Sequence, residues 1–377
     1  MASKGLEGVI AAETAISEVN GEAGRLIYGG YPIEDLAQNA SFEEVCHLLW
    51  YGELPTREQL ATLERRLREG GAVHPDVLAL IERQPRAVHP MATLRTALSA
   101  LSAYDPDAED MSRAANERKA IRLTAQVVTL TAAIERLRTG QPALPPRDDL
   151  SLAGNLLYMM NGREPEPLPV RIIDAALTLH AEHGMNASTF AARVTAGTLS
   201  DMHSAMTSAT ATLKGPLHGG ANEQVMRMLL EIGTPDQAAD YVRARLARGE
   251  RIMGFGHRIY RTLDPRAPLL KSLAEQLEAQ SADAPWLRIS EMIQEVMREE
   301  MERRGKKIYP NVDFFSASVY YTLGIPMDLF TNLFACARMA GWTAHVIEQL
   351  TDNRLIRPGS SYTGPRDRRV EPIEGRT

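Results

Sequence analysis

A helical chain of more than one domain is what the sequence predicts. Apolar residues recur at i, i+3/i+4 and i+7 from one end to the other, the spacing that lines one side of a helix, while long β-branched alternations are scarce. Start and stop signals for helices bracket the periodic stretches. The 377 residues, 44% apolar and 24% charged, suffice for a large core shared between domains.

In chain order, "SFEEVCHLLWYG" is the first clear helix. Ser41 and Glu44 form a capping box, each side chain satisfying a backbone amide at the helix start, and Phe42, Val45, Leu48 and Leu49 share one face. Thr56 with Gln59 opens the next helix in the same way and Gly70 with Gly71 closes it, so the two read as a helical hairpin. The breakers "YDPDAED" from Tyr104, "QPALPPRDD" from Gln141 and "GREPEPLP" from Gly162 mark loops. "ANEQVMRMLLEIG" puts Val225, Leu229 and Ile232 on one face. Thr234 and Pro235 then cap and start "PDQAADYVRARLARG", which Gly249 stops. Between residues 330 and 350, Phe330, Leu333, Phe334, Ala337, Ala340, Ala344 and Ile347 line one side of a long helix, expected at the centre because its small residues admit close neighbours. The polar, aperiodic end "GSSYTGPRDRRVEPIEGRT" is either mobile or an arm laid on a neighbour. Histidine, glycine and positive charge concentrate between 216 and about 323. Residues 216–323 are therefore expected to form a second lobe, inserted between a first part, 1–215, and a return, 324–377.

No apolar run approaches the roughly 20 residues that cross a bilayer, and "MASKGLEGVI" lacks the charged start and apolar centre of a signal peptide, so the cytoplasm is expected. Cys46 and Cys336, both in apolar helical surroundings, fit a reducing compartment rather than a disulfide framework or thiolate metal site. The formal net charge of -6 argues against nucleic acid or anionic membrane as a general partner.

The residues that could do chemistry are scattered. In "GPLHGGANEQV", Gly215, Gly219 and Gly220 let the backbone bend sharply around His218, just ahead of a helix start whose positive end disfavours imidazolium. A neutral imidazole there can donate a hydrogen bond to an enol or enolate oxygen; it can also be a turn histidine serving as a cap. His257 has the same glycine surroundings in "GFGH", which is no dinucleotide fingerprint because the third glycine and the preceding strand are missing. Nine residues on, the Asp264-Pro265 turn fixes Arg266, a two-pronged donor suited to a carboxylate or simply a surface turn arginine. Asp313, between Val312 and Phe314-Phe315, heads a helix that runs to Leu323. It reads either as an N-cap or as a partly desolvated general base with a raised pKa. Arg338, one step off the apolar stripe of its helix, and Arg357, held extended by Pro358, would complete a set suited to a small polyanion. His180 and His183, three apart on one helix, are the best case for a metal, but the spacing is not that of the zincins and no further ligands cluster with them. Arg251, Arg258 and Arg261, with Arg303, Arg304, Lys306 and Lys307, are either solvated helix ends or a phosphate-binding rim.

Taken in order, these pieces resemble the citrate synthase family. "GFGHRIYRTLDPR" looks like its signature segment. "HAEHGMNAST", "GPLHGGANE", "YPNVDF" and "NRLIRPG" are similar to its other blocks, and the likeness runs from "KGLEGVIAAET" to about residue 364. The resemblance implies an all-α, two-domain homodimer in which a small domain closes over substrate, and a Claisen-type condensation of acetyl-CoA with oxaloacetate followed by hydrolysis of citryl-CoA. On it, Asp313 is the base, His218 the donor to the enol oxygen and His257 the group that polarises and protonates the oxaloacetate carbonyl. His183, Arg266, Arg338 and Arg357 grip carboxylates and oxygens, with Arg357 crossing from the partner subunit. Arg258, Arg261 and Lys307 fit the coenzyme's phosphates. Coenzyme A thioester is then a co-substrate, and no tightly bound cofactor or metal is expected. The resemblance also implies a form without the N-terminal region of the NADH-inhibited members. Alternatives are a 2-methylcitrate synthase using propionyl-CoA, a catalytically silent helical binding protein, and a metallohydrolase built on His180 and His183.

Overall fold

The computed structural model describes residues 4–257, 259–280 and 285–376. It opens with a small antiparallel sheet that the helical periodicity does not announce: β1 (Ser17–Asn20), β2 (Arg25–Tyr28) and β3 (Tyr31–Pro32), in that order, with Ser17 opposite Tyr28 and Asn20 opposite Arg25. Strands this short are too brief for an alternation of period two to register. Leu26 and Tyr28 are nonetheless fully buried.

Everything regular that follows is helical. The first run is α1 (Ile33–Asn39), α2 (Phe42–Tyr51), α3 (Arg57–Gly70), α4 (Pro75–Glu82), α5 (Pro90–Leu101), α6 (Arg113–Arg138), α7 (Leu152–Asn161), α8 (Pro167–His180), α9 (Ala187–Gly197) and α10 (Met202–Leu213). Then come α11 (Ala221–Ile232), α12 (Pro235–Ala247), α13 (Arg266–Glu278), α14 (Trp286–Arg303) and α15 (Val312–Thr322), before the last α-helix, α16 (Phe330–Thr351), and a single 3-10 turn at Ile373–Gly375. Both capping boxes form: Ser41 with Glu44 at α2 and Thr56 with Gln59 at α3, which Gly71 terminates. At α12, Pro235 occupies the first turn as expected, but Thr234 makes no side-chain cap bond.

α16 is the axis of the larger body, packed by α2, α6, α8, α9 and α10. The sequence predicted one apolar side. Instead every residue from Phe330 to Ile347 is buried, because neighbours surround the helix completely. A helix in that position needs polar groups to find partners inside, and Trp50 supplies one link by donating from Nε1 to Thr343 Oγ1 at 2.9 Å. At Gly341 a Cβ would fall 2.4 Å from the Ala181 carbonyl oxygen, so the glycine permits a backbone approach no other residue allows. α11 to α15 pack mainly on one another and reach the rest through α16, α8 and α1.

Candidate active site

The turn after α8 carries the first imidazole. α8 stops at His180, so His180 and His183 do not share a helical face, contrary to the expectation from their spacing. The ring of His180 lies edge-on to Phe334 at 5.0 Å, and burial, then the Arg266 charge, pushes its pKa down to about 3. Its backbone oxygen is what matters at the site, accepting from Arg338 Nε at 2.7 Å. His183 brings Nε2 to 3.2 Å from the Tyr260 hydroxyl and packs perpendicular to His257, ring centres 5.4 Å apart. Burial, followed by Arg266, holds it well below its ordinary pKa. Glu182, between the two histidines, is fully buried. It accepts from His345 Nε2 and Ser17 Oγ at 3.0 Å each, while the Tyr28 hydroxyl donates to its backbone oxygen at 2.7 Å. Burial opposes charge on both members of this pair. The Glu182 charge still lifts His345 to about 9, and His345 holds Glu182 below the usual carboxylate range.

His218 sits in the bend before α11. At Gly219 a Cβ would meet the Leu213 carbonyl oxygen at 2.5 Å, which explains a glycine beside the histidine. Nε2 lies 2.8 Å from Ser188 Oγ, which also accepts from Trp342 Nε1 at 3.1 Å. Asn186 Oδ1, the other neighbour of that hydroxyl, already accepts the Ser188 and Thr189 amides as the N-cap of α9. That hydroxyl also donates to Asn186 Oδ1 at 2.7 Å, so the roles at its contact with His218 Nε2 follow the imidazole's tautomer. The pKa falls to about 4 through burial and then the Arg338 charge.

Gly254 and Gly256, both at positive φ (79° and 83°), thread the His257 loop between α11 and α15; a Cβ on Gly254 would lie 2.9 Å from Phe314 and from Val225. Asn311 ties the loop down, its amide donating to Gly254 O and its Nδ2 to Gly256 O, each at 2.9 Å. His257 Nδ1 accepts two backbone amides, Ile259 at 3.0 Å and Tyr260 at 3.1 Å. Its proton is thereby fixed on Nε2, and burial, then Arg266, lowers its pKa to about 4.

Arg266 opens α13 inside the protein, 2% exposed, and is no surface turn arginine. Asp264 grips it twice, at 3.0 Å and 2.8 Å, and also accepts the Val312 amide at 3.3 Å. Asp313 is not the N-cap of α15: Asn311 holds that place and accepts the Asp313 amide at 3.1 Å, so the Asp313 side chain is free of capping. Among the described residues its carboxylate takes no hydrogen bond. Burial raises its pKa to about 6 against the downward pull of Arg266 and Arg338. Arg338, buried in α16, stacks its guanidinium 4.8 Å from the centre of Phe334 and is lowered to about 10 by burial.

Two buried guanidinium groups thus share one set of neighbours. Arg338 acts on His183, His218 and Asp313, and Arg266 on His183, His257 and Asp313. The remaining expected residues stand apart. Arg357 is exposed beyond α16 with no hydrogen bond or ion pair among the described residues. Lys307 is exposed before α15, and Arg261 is exposed beside Glu18 and Glu22. Arg258 lies outside the described residues. Tyr260, Ser188, Asn311 and Glu182 were not singled out by sequence, and Asp264 was read as a turn residue rather than as the ion-pair partner of Arg266. Each acts on a named group rather than standing alone, and the signal available was a polar residue within four positions of a glycine turn or helix start. Among the described residues no three His, Cys, Asp or Glu side chains gather to hold a metal ion, and no helix is long and apolar enough to cross a membrane.

Residues 5–359 match the family described as citrate synthase, C-terminal domain. Citrate synthase 2 of Bacillus subtilis is 48% identical over 100% of this chain and 99% of its own length, and 2-methylcitrate synthase 1 of Corynebacterium glutamicum is 45% identical over 99% and 98%. The citrate synthase structure from Pyrobaculum aerophilum superposes with a TM-score of 0.93 at 42% identity, covering 99% of this chain and 95% of that one. The ternary complex of carboxymethyl coenzyme A and oxaloacetate with citrate synthase from Thermoplasma acidophilum superposes with a TM-score of 0.93 at 34% identity over 100% of both. On a match this long, around a carboxylate, three imidazoles and two arginines drawn together, the chain belongs to the citrate synthase family.

Proposed function

We propose that this acyltransferase condenses acetyl-CoA with oxaloacetate through an enol and hydrolyses the resulting citryl-CoA to citrate and coenzyme A. The observation that carries the reading is Asp313: a carboxylate raised to about 6 by burial, without a hydrogen bond among the described residues, and under the charges of Arg266 and Arg338. At neutral pH it is ionised yet poorly solvated, which suits proton removal from a thioester methyl. An aspartate alone is far too weak for that carbon acid. His218, a neutral imidazole with Ser188 beside its Nε2, donates to the enol oxygen and stabilises it as it forms. The enol carbon then attacks the oxaloacetate carbonyl, whose oxygen takes the proton held on His257 Nε2. His183, Arg266 and Arg338 hold carboxylates and oxygens, and Arg357 of the partner subunit completes the grip in a homodimer. Water then hydrolyses the thioester.

Residues 216–323 form the lobe that closes on 1–215 and 324–377, excluding water while both substrates are bound. Arg258, Arg261 and Lys307 meet the coenzyme's phosphates. Of these Arg261 has the weakest support, because carboxylates surround it. The thioester is consumed, no resident cofactor takes part, and the reaction belongs in the cytoplasm. Propionyl-CoA is the second reading, favoured by the identity to a 2-methylcitrate synthase. Thiol release measured with each thioester and oxaloacetate tests all of this: faster turnover with acetyl-CoA supports the first reading, a clear preference for propionyl-CoA the second, and no release from either a silent binding protein.

A further inference from the structure

We infer that the β1–β2 hairpin is a positioning element of the site, its turn setting the backbone that fixes the proton of His257 while its strands hold the turn that carries His183. The inference rests on the proposed function only for its kinetic consequence. At the tip, a Cβ on Gly21 would fall 2.2 Å from the Ile259 carbonyl oxygen, and the Arg261 amide donates to Gly21 O at 3.0 Å. Gly24, at φ +62°, lies so close that a Cβ would meet Thr262 Cγ2 at 2.6 Å and Leu263 O at 3.0 Å. The hairpin turn is therefore in backbone contact with residues 259–263. The first two of these, Ile259 and Tyr260, have their amides on His257 Nδ1. At the other end, Ser17 and Tyr28 hold Glu182, and Val19 sits 3.1 Å from where a Cβ on Gly184 would lie, on the far side of His183. Tyr260 and His183 meet at 3.2 Å, so one hairpin braces both partners of that contact.

Ile259 lies within 216–323 and the hairpin does not, so the contact is made between the two bodies only when they are together. A side chain at Gly21 would wedge them apart through a backbone carbonyl that cannot turn aside. Gly21 itself has no left-handed φ, so alanine there leaves the hairpin's own geometry intact.

The test compares Gly21→Ala with the unaltered full chain by steady-state kinetics, melting temperature and 15N shifts of the labelled His257 ring. The melting temperature is expected to hold. KM for oxaloacetate should rise and kcat/KM fall by about tenfold to a hundredfold, as for a sub-ångström to ångström misplacement, and His257 should lose its pure Nε2–H pattern. Unchanged kinetics with an unchanged ring pattern overturn the inference, as does a loss of rate that merely follows the folded fraction. Should Gly21→Ala not fold, Gly24→Asn keeps the left-handed backbone, adds the same kind of obstruction and is read in the same way. If the unaltered chain turns over neither thioester, the proposed function fails, and the ring pattern alone decides this inference.

Discussion

Asp313 combines a cost with a use. Its raised pKa means that the folded protein resists the charge the chemistry requires, and the sign of the stability effect follows. A carboxyl whose folded value, about 6, exceeds its unfolded value near 3.8 favours folding below the unfolded value, and that contribution disappears as pH rises through 6. Asp313→Asn should therefore raise the unfolding free energy at pH 8 by up to about 3 kcal/mol and leave it unchanged near pH 3.5, read by denaturant titration at the two pH values. The same variant should lose turnover by about a hundredfold to ten-thousandfold while still binding oxaloacetate by calorimetry; near-normal rates would remove Asp313 from the role of base. In the unaltered chain the acidic limb of kcat/KM should lie near pH 6, because His218 and His257, both near 4, stay neutral across that range. Asp313 was legible in the sequence through its motif and its apolar neighbours. The choice between cap and base was not, since it depends on Asn311 taking the cap, and nothing in the spacing says which of two polar residues two positions apart will do so.

Elements were legible where the signal is local. The capping boxes at α2 and α3 are decided by side chains three residues apart, and both form. The sheet escaped because its strands span two to four residues, and the burial of α16 on every side escaped because it is a property of what packs around it. α16 also shows how one element supports the site at a distance. Gly341 lets the 181–182 backbone lie against the helix, where Glu182 meets His345. Gly341→Ala should destabilise the fold by about 1–3 kcal/mol through overpacking, seen as a lower melting temperature, and an unchanged value would mean that this segment adapts freely. His345 is raised to about 9, so its contribution to stability is complete below its unfolded value near 6.5 and fades as pH climbs through 9. His345→Gln should abolish that alkaline fall in melting temperature.

For the whole molecule, Arg357 is exposed beyond α16, apart from the site of its own chain, and the proposed function assigns it to the site of a second subunit. Neither Arg357→Ala nor Asp313→Ala alone should be active. Mixed by refolding together, they should regain about a quarter of the unaltered rate, since half the dimers are mixed and one of the two sites in each is intact. Failure to recover any activity would rule out a crossing arginine. The lobe boundaries expected from where glycine and histidine concentrate belong to the same scale: composition locates a segment, but the interfaces that would let it act as a unit join residues hundreds of positions apart.

One contact gives the molecule an optical handle. Trp342 donates its indole hydrogen to the same serine hydroxyl that touches His218, whereas Trp50 bonds within the core and Trp286 packs edge-on against Tyr321. Any occupant that shifts the His218 ring alters the dipole beside that one indole, so ultraviolet-excited emission should report filling of the thioester pocket without a label, and Trp342→Phe should silence the signal.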